Sequence, residues 1–416
     1  MSSVSADFRP PAPYSPVVRL AGLTVPWILR WARHVVDIEI PDKDIERIRA
    51  LRDRRLLIAP NHPTNDDPAL LFALSRASGL PFYYLACRET FDAACGFYGR
   101  FLQRIGAYSV VRGTADRESF RMTRRLLATP GGRVVIFPEG EVYSQNDTLL
   151  PFQSGVVQLA FWAMEDVRSG GEPDGSVSIL PVAVRYVFVA DMTDRINAAL
   201  SRLERAVLGT SQSTSTVDSH YERLRALGVA VLTAMETEYG LKSARNEESD
   251  LTARMDAMKS LLLERAAGLI GVTLPAGATL PERMRFLINR VHDVVKDPPG
   301  DDKTPYGERL HAQQAERAAP LMRDLERVAN WIAVRDNYVR ARPTPERMAD
   351  NIRRLEVEVF GAPALTGPRR AIVRVGEPID LARFAADYKA DRRGAVAKCV
   401  DLLEEAVQAL LDGDTK

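Results

Sequence analysis

Cysteine is scarce in this chain: Cys87, Cys95 and Cys399 are the three in 416 residues. An odd number at wide spacing excludes a disulfide framework and a paired-thiolate metal site, and so few thiols suit a reducing, cytoplasmic compartment. Histidine is nearly as sparse, with five residues and no His-Glu-x-x-His, so no metal centre is expected. Charge of one sign is missing too. Lysine plus arginine (56) and aspartate plus glutamate (55) leave a net charge of +1, which gives no electrostatic reason for a nucleic-acid partner. No run reaches the ~18 apolar residues of a membrane-spanning helix, and Met1–Pro16 lacks the basic-then-apolar order of a signal peptide. No Gly-x-Ser-x-Gly elbow occurs and no cysteine adjoins a histidine, so nothing marks a serine or cysteine acyl-enzyme. What remains is ordinary globular composition, 46% hydrophobic and 27% charged, enough to bury a full core.

Four segments are expected: 1–50, 51–190, 191–365 and 366–416. The first holds a loose leader with Pro10, Pro11 and Pro13, then an apolar stretch, Val17–Val36, carrying Trp27, Trp31, Arg19, Arg30 and Arg33. That mixture suits a helix lying in a lipid interface, or a core helix interrupted at Pro26. In the second segment, Arg55–Ala59, Val134–Phe137 and Ile179–Val184 read as buried strands. Helical spacing in Pro68–Ser78 and Ala115–Ala128 alternates with them. From Asp191 the pattern turns helical, over 218–239, 251–269, 279–295 and 308–339, with Thr279 and Glu282 spaced as a capping box. Ala371–Val375 reads as a strand again, followed by a helix from about Leu381 to Leu411. The fold class is α/β: a mixed sheet flanked by helices, with a large helical insertion before its last strand.

Chemistry-bearing residues collect after the predicted strands. Asn61-His-Pro-Thr-Asn-Asp-Asp67 follows the first. There an imidazole at His62 can take a hydroxyl proton near neutral pH if the Asp67 carboxylate holds its other nitrogen. Phe137-Pro-Glu-Gly140 follows another. Pro138 fixes one backbone angle and Gly140 permits a tight turn that projects Glu139 and backbone N–H groups. Between them, Gly106-Ala-Tyr-Ser-Val-Val-Arg112-Gly113 ends in a guanidinium able to clamp a phosphate or carboxylate. Each pattern alone also fits a capped turn or a surface arginine.

Taken in order with Leu149-Leu-Pro-Phe152, Gly155, Leu180-Pro-Val-Ala-Val184 and Val373-Arg-Val-Gly-Glu-Pro-Ile379, these blocks resemble the glycerolipid acyltransferase superfamily, which includes the 1-acylglycerol-3-phosphate acyltransferases. The resemblance covers about Leu56–Tyr186 and Ala371 to the end. It implies direct transfer of a fatty acyl group from an acyl-CoA or acyl carrier protein thioester to a hydroxyl of a glycerolipid-like acceptor. His62 would be the general base and Asp67 its orienting partner. Arg112 and the turn of Phe137, Pro138, Glu139 and Gly140 would hold the acceptor, Asn61 would belong to the substrate-binding set, and Pro181 would lie near the acyl chain. No cofactor is implied beyond the thioester co-substrate. The partners expected are that donor, a lipid or lipid-like alcohol and, through residues 17–36, the inner face of a membrane.

Two departures from the family pattern bear on the acceptor. Glu141-Val142 stands where relatives commonly carry Thr-Arg, and Gln153-Ser154 where they carry basic residues. An acceptor less negative than lysophosphatidic acid is therefore expected. A hydrolase using water on the same dyad, and a silent lipid-binding protein, are the rival readings.

Overall fold

In the computed structural model, residues 8–111, 116–210, 217–241, 251–296 and 305–413 are described. The strand that positions everything else is β2, Leu56–Pro60, whose five residues are all buried. β1 (Val35–Glu39) precedes it. β3 (Tyr83–Cys87), β4 (Ala107–Val110), β5 (Arg133–Val135), β6 (Ser178–Phe188), β7 (Arg369–Val375) and β8 (Ile379–Asp380) follow. They form one sheet in the order β1-β7-β6-β2-β5-β3-β4, with β8 also on β6. β2 runs parallel to both β5 and β6, while β7 and β8 run antiparallel to β6, so the sheet is mixed.

Strand alternation assigns each face its own core. Leu57, Ala59, Ile179 and Ala183 pack with Val157, Phe161, Leu403 and Val407, from the helices Ser154–Ser169 and Arg392–Gly413. Leu56, Ile58, Leu180, Val182 and Val184 pack instead with Leu70, Leu71 and Leu74 of the helix Asp67–Ser78. A continuous apolar strand such as β2 is what burial on both faces demands.

The chain divides into two compact units, Met1–Ala190 with Gly367–Lys416, and Asp191–Thr366. The second is helical, including Thr193–Val207, Val217–Glu238, Leu251–Ile270, Leu280–Lys296, Pro305–Trp331 and Pro345–Phe360. Glu282 accepts from the Thr279 N–H at 2.8 Å and from its hydroxyl at 3.0 Å, the side-chain-to-N-cap half of the expected capping box.

Several elements differ from their sequence reading. The N-terminal helix, Ser15–Ala32, continues through Pro26, and His34 at φ +56° turns the chain into β1. The leader is pinned at residues 9–14: the Arg9 carbonyl accepts from Ser109, and the Ala12 and Tyr14 N–H groups donate to Gln103 and Arg104. The last helical stretch is broken into Leu381–Phe384, Ala385–Ala390 and Arg392–Gly413.

Candidate active site

β2 and β5 are parallel neighbours, so the loops that leave their C-terminal ends emerge side by side, at the place where α/β sheets hold their chemistry. This brings residue 62 against residue 139. The His62 N–H donates to Glu139 Oε1 at 2.8 Å, and the Leu150 N–H donates to Glu139 Oε2 at 3.1 Å. One buried carboxylate thus ties three loop segments together. Burial raises its pKa from the ordinary 4.5 to about 7, against the lowering effect of those two N–H groups. Gly140, at φ +76°, closes the turn by donating to the Phe137 carbonyl at 3.0 Å. A side chain in that left-handed conformation would be strained.

Within the first loop, His62 Nδ1 lies 2.7 Å from Asp67 Oδ2. Asp67 is fully buried and His62 is 15% exposed, so little of the ring meets solvent. The five-residue spacing works because Asp67 opens the helix Asp67–Ser78. Its Oδ2 also accepts from the Thr64 N–H at 2.8 Å, folding the intervening loop over it. The opposite oxygen, Oδ1, accepts from the Thr64 hydroxyl at 2.9 Å and the Tyr186 hydroxyl at 2.6 Å. Phe137 stacks on the imidazole with centroids 3.9 Å apart and planes 20° from parallel. With Nδ1 committed to Asp67, Nε2 is the nitrogen left to exchange a proton with a substrate.

Some of the residues expected to touch substrate are turned elsewhere. Asn61 is 1% exposed, and both ends of its amide are used by Val184: Nδ2 donates to the carbonyl at 2.9 Å and Oδ1 accepts from the N–H at 2.7 Å. Asn146 makes the same pair of bonds with Tyr186, at 2.6 and 2.7 Å. β2 stops pairing with β6 at Pro60–Val182, so these two side chains continue the ladder that the backbone abandons. Asn61 therefore clamps the end of β2 to β6. The Glu139 carboxylate and the buried Pro138, whose carbonyl accepts from Gln153 N–H at 2.9 Å, likewise brace loops. Pro181 lies beside Ala59 and shares the sheet face of Ile179 and Ala183, opposite Tyr186, so the sheet separates it from the dyad. Gln153 folds back, its Nε2 donating to the Glu139 carbonyl at 3.0 Å. Arg112 lies outside the described residues.

Tyr186, Thr64 and Asn146 escaped the sequence reading, as did a cationic pair beside the dyad. Buried Asp66 meets Arg33 Nε at 2.5 Å and Arg369 Nη2 at 3.4 Å, and the Arg369 guanidinium lies 4.8 Å from the Tyr186 ring centroid. Period-two alternation through Val182 and Val184 would have put Tyr186 on the dyad's face of the sheet, had β6 been drawn two residues longer. No comparable signal marks Asn146 in its loop.

Among the described residues no group of three or more His, Cys, Asp or Glu is placed to hold a metal ion. None of their helices is long and apolar enough to cross a membrane. Residues 40–185 match the family model described as Acyltransferase. No curated protein matches the chain.

Proposed function

We propose, for an acyltransferase whose residues 40–185 belong to the glycerolipid acyltransferase superfamily, that the chain moves a fatty acyl group from a thioester of CoA or acyl carrier protein to a hydroxyl of a glycerolipid-like acceptor. The observation that carries the mechanism is the 2.7 Å contact of His62 Nδ1 with buried Asp67. His62 Nε2 takes the acceptor's hydroxyl proton as its oxygen attacks the thioester carbonyl. The C–S bond then breaks, and the imidazolium returns the proton to the leaving thiolate. Asp67 holds the imidazole in the required tautomer and offsets its charge while the proton is on loan. Phe137 fixes the ring plane. Asn61, Glu139 and the Gly140 turn keep the two loops in register, with the thioester as the only co-substrate and no cofactor.

The acceptor carries less negative charge than lysophosphatidic acid in this reading. Gln153, at a position where relatives carry positive charge, is spent on the Glu139 carbonyl, and half-buried Glu141 adds an acid nearby. The reaction takes place at the inner face of a membrane, which the helix Ser15–Ala32 touches. Support for that contact is the exposure of Leu20, Leu23, Trp27, Ile28 and Trp31 on one helix.

The test is transfer from a labelled long-chain acyl-CoA or acyl carrier protein to lysophosphatidic acid, a zwitterionic lyso-lipid and a monoacylglycerol. Faster transfer to the last two, abolished in His62→Ala, is expected. Thiol release at one rate with and without acceptor would make the chain a hydrolase. Preference for lysophosphatidic acid would overturn the acceptor assignment alone.

A further inference from the structure

Asp67 has two oxygens, and only one serves the histidine. Oδ2 faces His62 Nδ1, while Oδ1 is held at 2.6 Å by the hydroxyl of Tyr186 and at 2.9 Å by that of Thr64. Tyr186 comes from β6, more than a hundred residues along the chain, and is itself buried at 2% exposure. Its backbone is fixed on one side by both amide ends of Asn146. On the other it pairs with β7 opposite Ala371. Arg369 covers its ring. Burial, and then the negative charge of Asp67, hold the phenol well above its ordinary pKa, so it is a proton donor throughout the working range. A phenol this firmly seated, aimed at the oxygen that the dyad leaves over, has a consequence for the oxygen that the dyad uses.

We propose that Tyr186 is a positioning residue for the dyad: by occupying Asp67 Oδ1 it fixes the carboxylate's rotation and draws charge away from Oδ2, setting how strongly Asp67 holds a proton on His62. This rests on the acyl-transfer reading above only for its effect on rate. The other charged and titratable groups about the dyad are Glu139, on the His62 N–H, and Asp66 with Arg33 and Arg369. None of these bonds Oδ1. In Tyr186→Phe, the carboxylate loses its shortest donor and Oδ2 becomes the stronger acceptor. The imidazolium is then favoured, and His62 stays protonated to higher pH. The rate, which needs neutral His62, therefore rises later along the pH axis.

The experiment uses the full chain with ¹⁵N-labelled histidine. His62 is identified by its loss in His62→Gln, and its titration is followed by NMR in wild type and Tyr186→Phe. The His62 titration in the variant should move upward relative to wild type, because Asp67 keeps fewer hydrogen bonds to its charged form. In transfer assays kcat should fall about tenfold or more at pH 7 with KM for either substrate within about twofold, the acidic limb moving with the titration. Loss of packing alone would lower the melting temperature and leave that limb in place. Thr64→Val removes the hydroxyl that lies 2.9 Å from both Asp67 Oδ1 and the Tyr186 hydroxyl; donating to either it supports Oδ1, so its loss should shift His62 the same way, which keeps the test open if Tyr186→Phe folds poorly. A His62 titration unchanged in both variants overturns the proposal, whatever the rates. Should wild type transfer no acyl group, the NMR shift still decides the role of Tyr186, and only the reading of the reaction falls.

Discussion

Both units of the chain bury polar side chains, but they use them differently. In the helical unit, ion pairs with at least one largely buried partner run from helix to helix. Arg223 meets Glu204 at 2.7 Å, Arg254 meets Glu236 at 2.7 Å, and Arg327 meets Glu358 at 2.7 Å. Each ties one helix to another at a separate point. In the α/β unit, Asn61, Asp67, Glu139 and Tyr186 converge on the loop that carries one partly exposed histidine. Scattered pairs brace a scaffold. A convergent set holds one side chain in one orientation, the preorganisation that general-base chemistry asks for.

The strongest way to break this contrast is to remove a residue from each set. His62→Ala should lower acyl transfer by roughly 10²–10⁴-fold, the span of general acid–base catalysis, and lower the melting temperature less than Arg223→Ala does, because Asp67 keeps its Thr64 and Tyr186 donors. Arg223→Ala should do the reverse. Stranding Glu204 costs about 3–5 kcal/mol, as for other broken buried pairs, while turnover per folded molecule stays close to wild type. Thermal unfolding and initial rates on the same preparations check both. Equal effects of the two substitutions on rate would erase the distinction.

Next in size are the strand clamps, which belong to both categories. Asn146→Ala leaves the N–H and C=O of Tyr186 without their partners in a buried strand, a cost of about 2–4 kcal/mol. Because Tyr186 bonds Asp67, transfer should fall as well, by more than the same loss of stability produces in Arg223→Ala. Chemical denaturation measures the first, and rates at matched folded fraction the second.

A smaller effect follows from Glu139, and its sign can be worked out. Its pKa is raised from 4.5 to about 7 on folding, so the folded chain binds this proton more tightly than the unfolded one. The resulting stabilisation is complete below about 4.5 and is lost as pH rises through about 7, a change on the order of 3 kcal/mol at 1.36 kcal/mol per unit. Melting temperature should therefore decline from pH 5 to pH 8, and Glu139→Gln should flatten that decline. Unfolding scans across the range decide it. An identical slope in the variant would mean that another group titrates.

The sequence made the frame legible where chemistry and periodicity coincide. The all-apolar run of β2 announced a doubly covered strand, and the blocks after β2 and β5 announced the two loops that meet. What it concealed was direction. Asn61 and Glu139 were rightly drawn to the loops, but whether an amide or carboxylate faces a substrate or a neighbouring strand depends on pairings far along the chain. Asn61 meets Val184 only because β6 outruns β2, and no spacing near residue 61 records that. Tyr186 was hidden by two residues of missing strand. Val35 continues the apolar stripe of Val17–Val36, yet the helix stops at Ala32 and the positive φ of His34 leads the chain into β1.

The last prediction extends the contrast to the surface. Among the described residues, the large exposed apolar side chains of the helical unit, Leu208, Leu269 and Phe360, stand singly on different segments. Isolated residues of this kind are normal and need no partner. The helix Ser15–Ala32 differs. It buries only Ala21 and Leu29 against the sheet's helices, while Leu20, Leu23, Trp27 and Trp31 recur at three- and four-residue spacing along its open side. Trp27 is 68% exposed and Trp31 66%, with ring centroids 5.7 Å apart, and Arg30 lies between them in sequence. Indole rings carrying an apolar body and one N–H donor are suited to the headgroup level of a bilayer, and arginine to its anionic surface. If the two rings together remove on the order of 50–100 Å² from water, at about 25 cal/mol per Å², replacing both with serine should weaken vesicle binding by roughly ten- to a hundredfold. Co-sedimentation with vesicles containing anionic phospholipid measures this directly. Rates on a soluble, short-chain acceptor should stay unchanged, since neither ring enters the hydrogen-bonding of the dyad. The paired substitution of Leu269 and Phe360 to serine supplies the control and should leave vesicle binding where it was. Equal binding by the tryptophan variant and wild type would reduce the stripe to bare surface, and the two units would then differ only in their interiors.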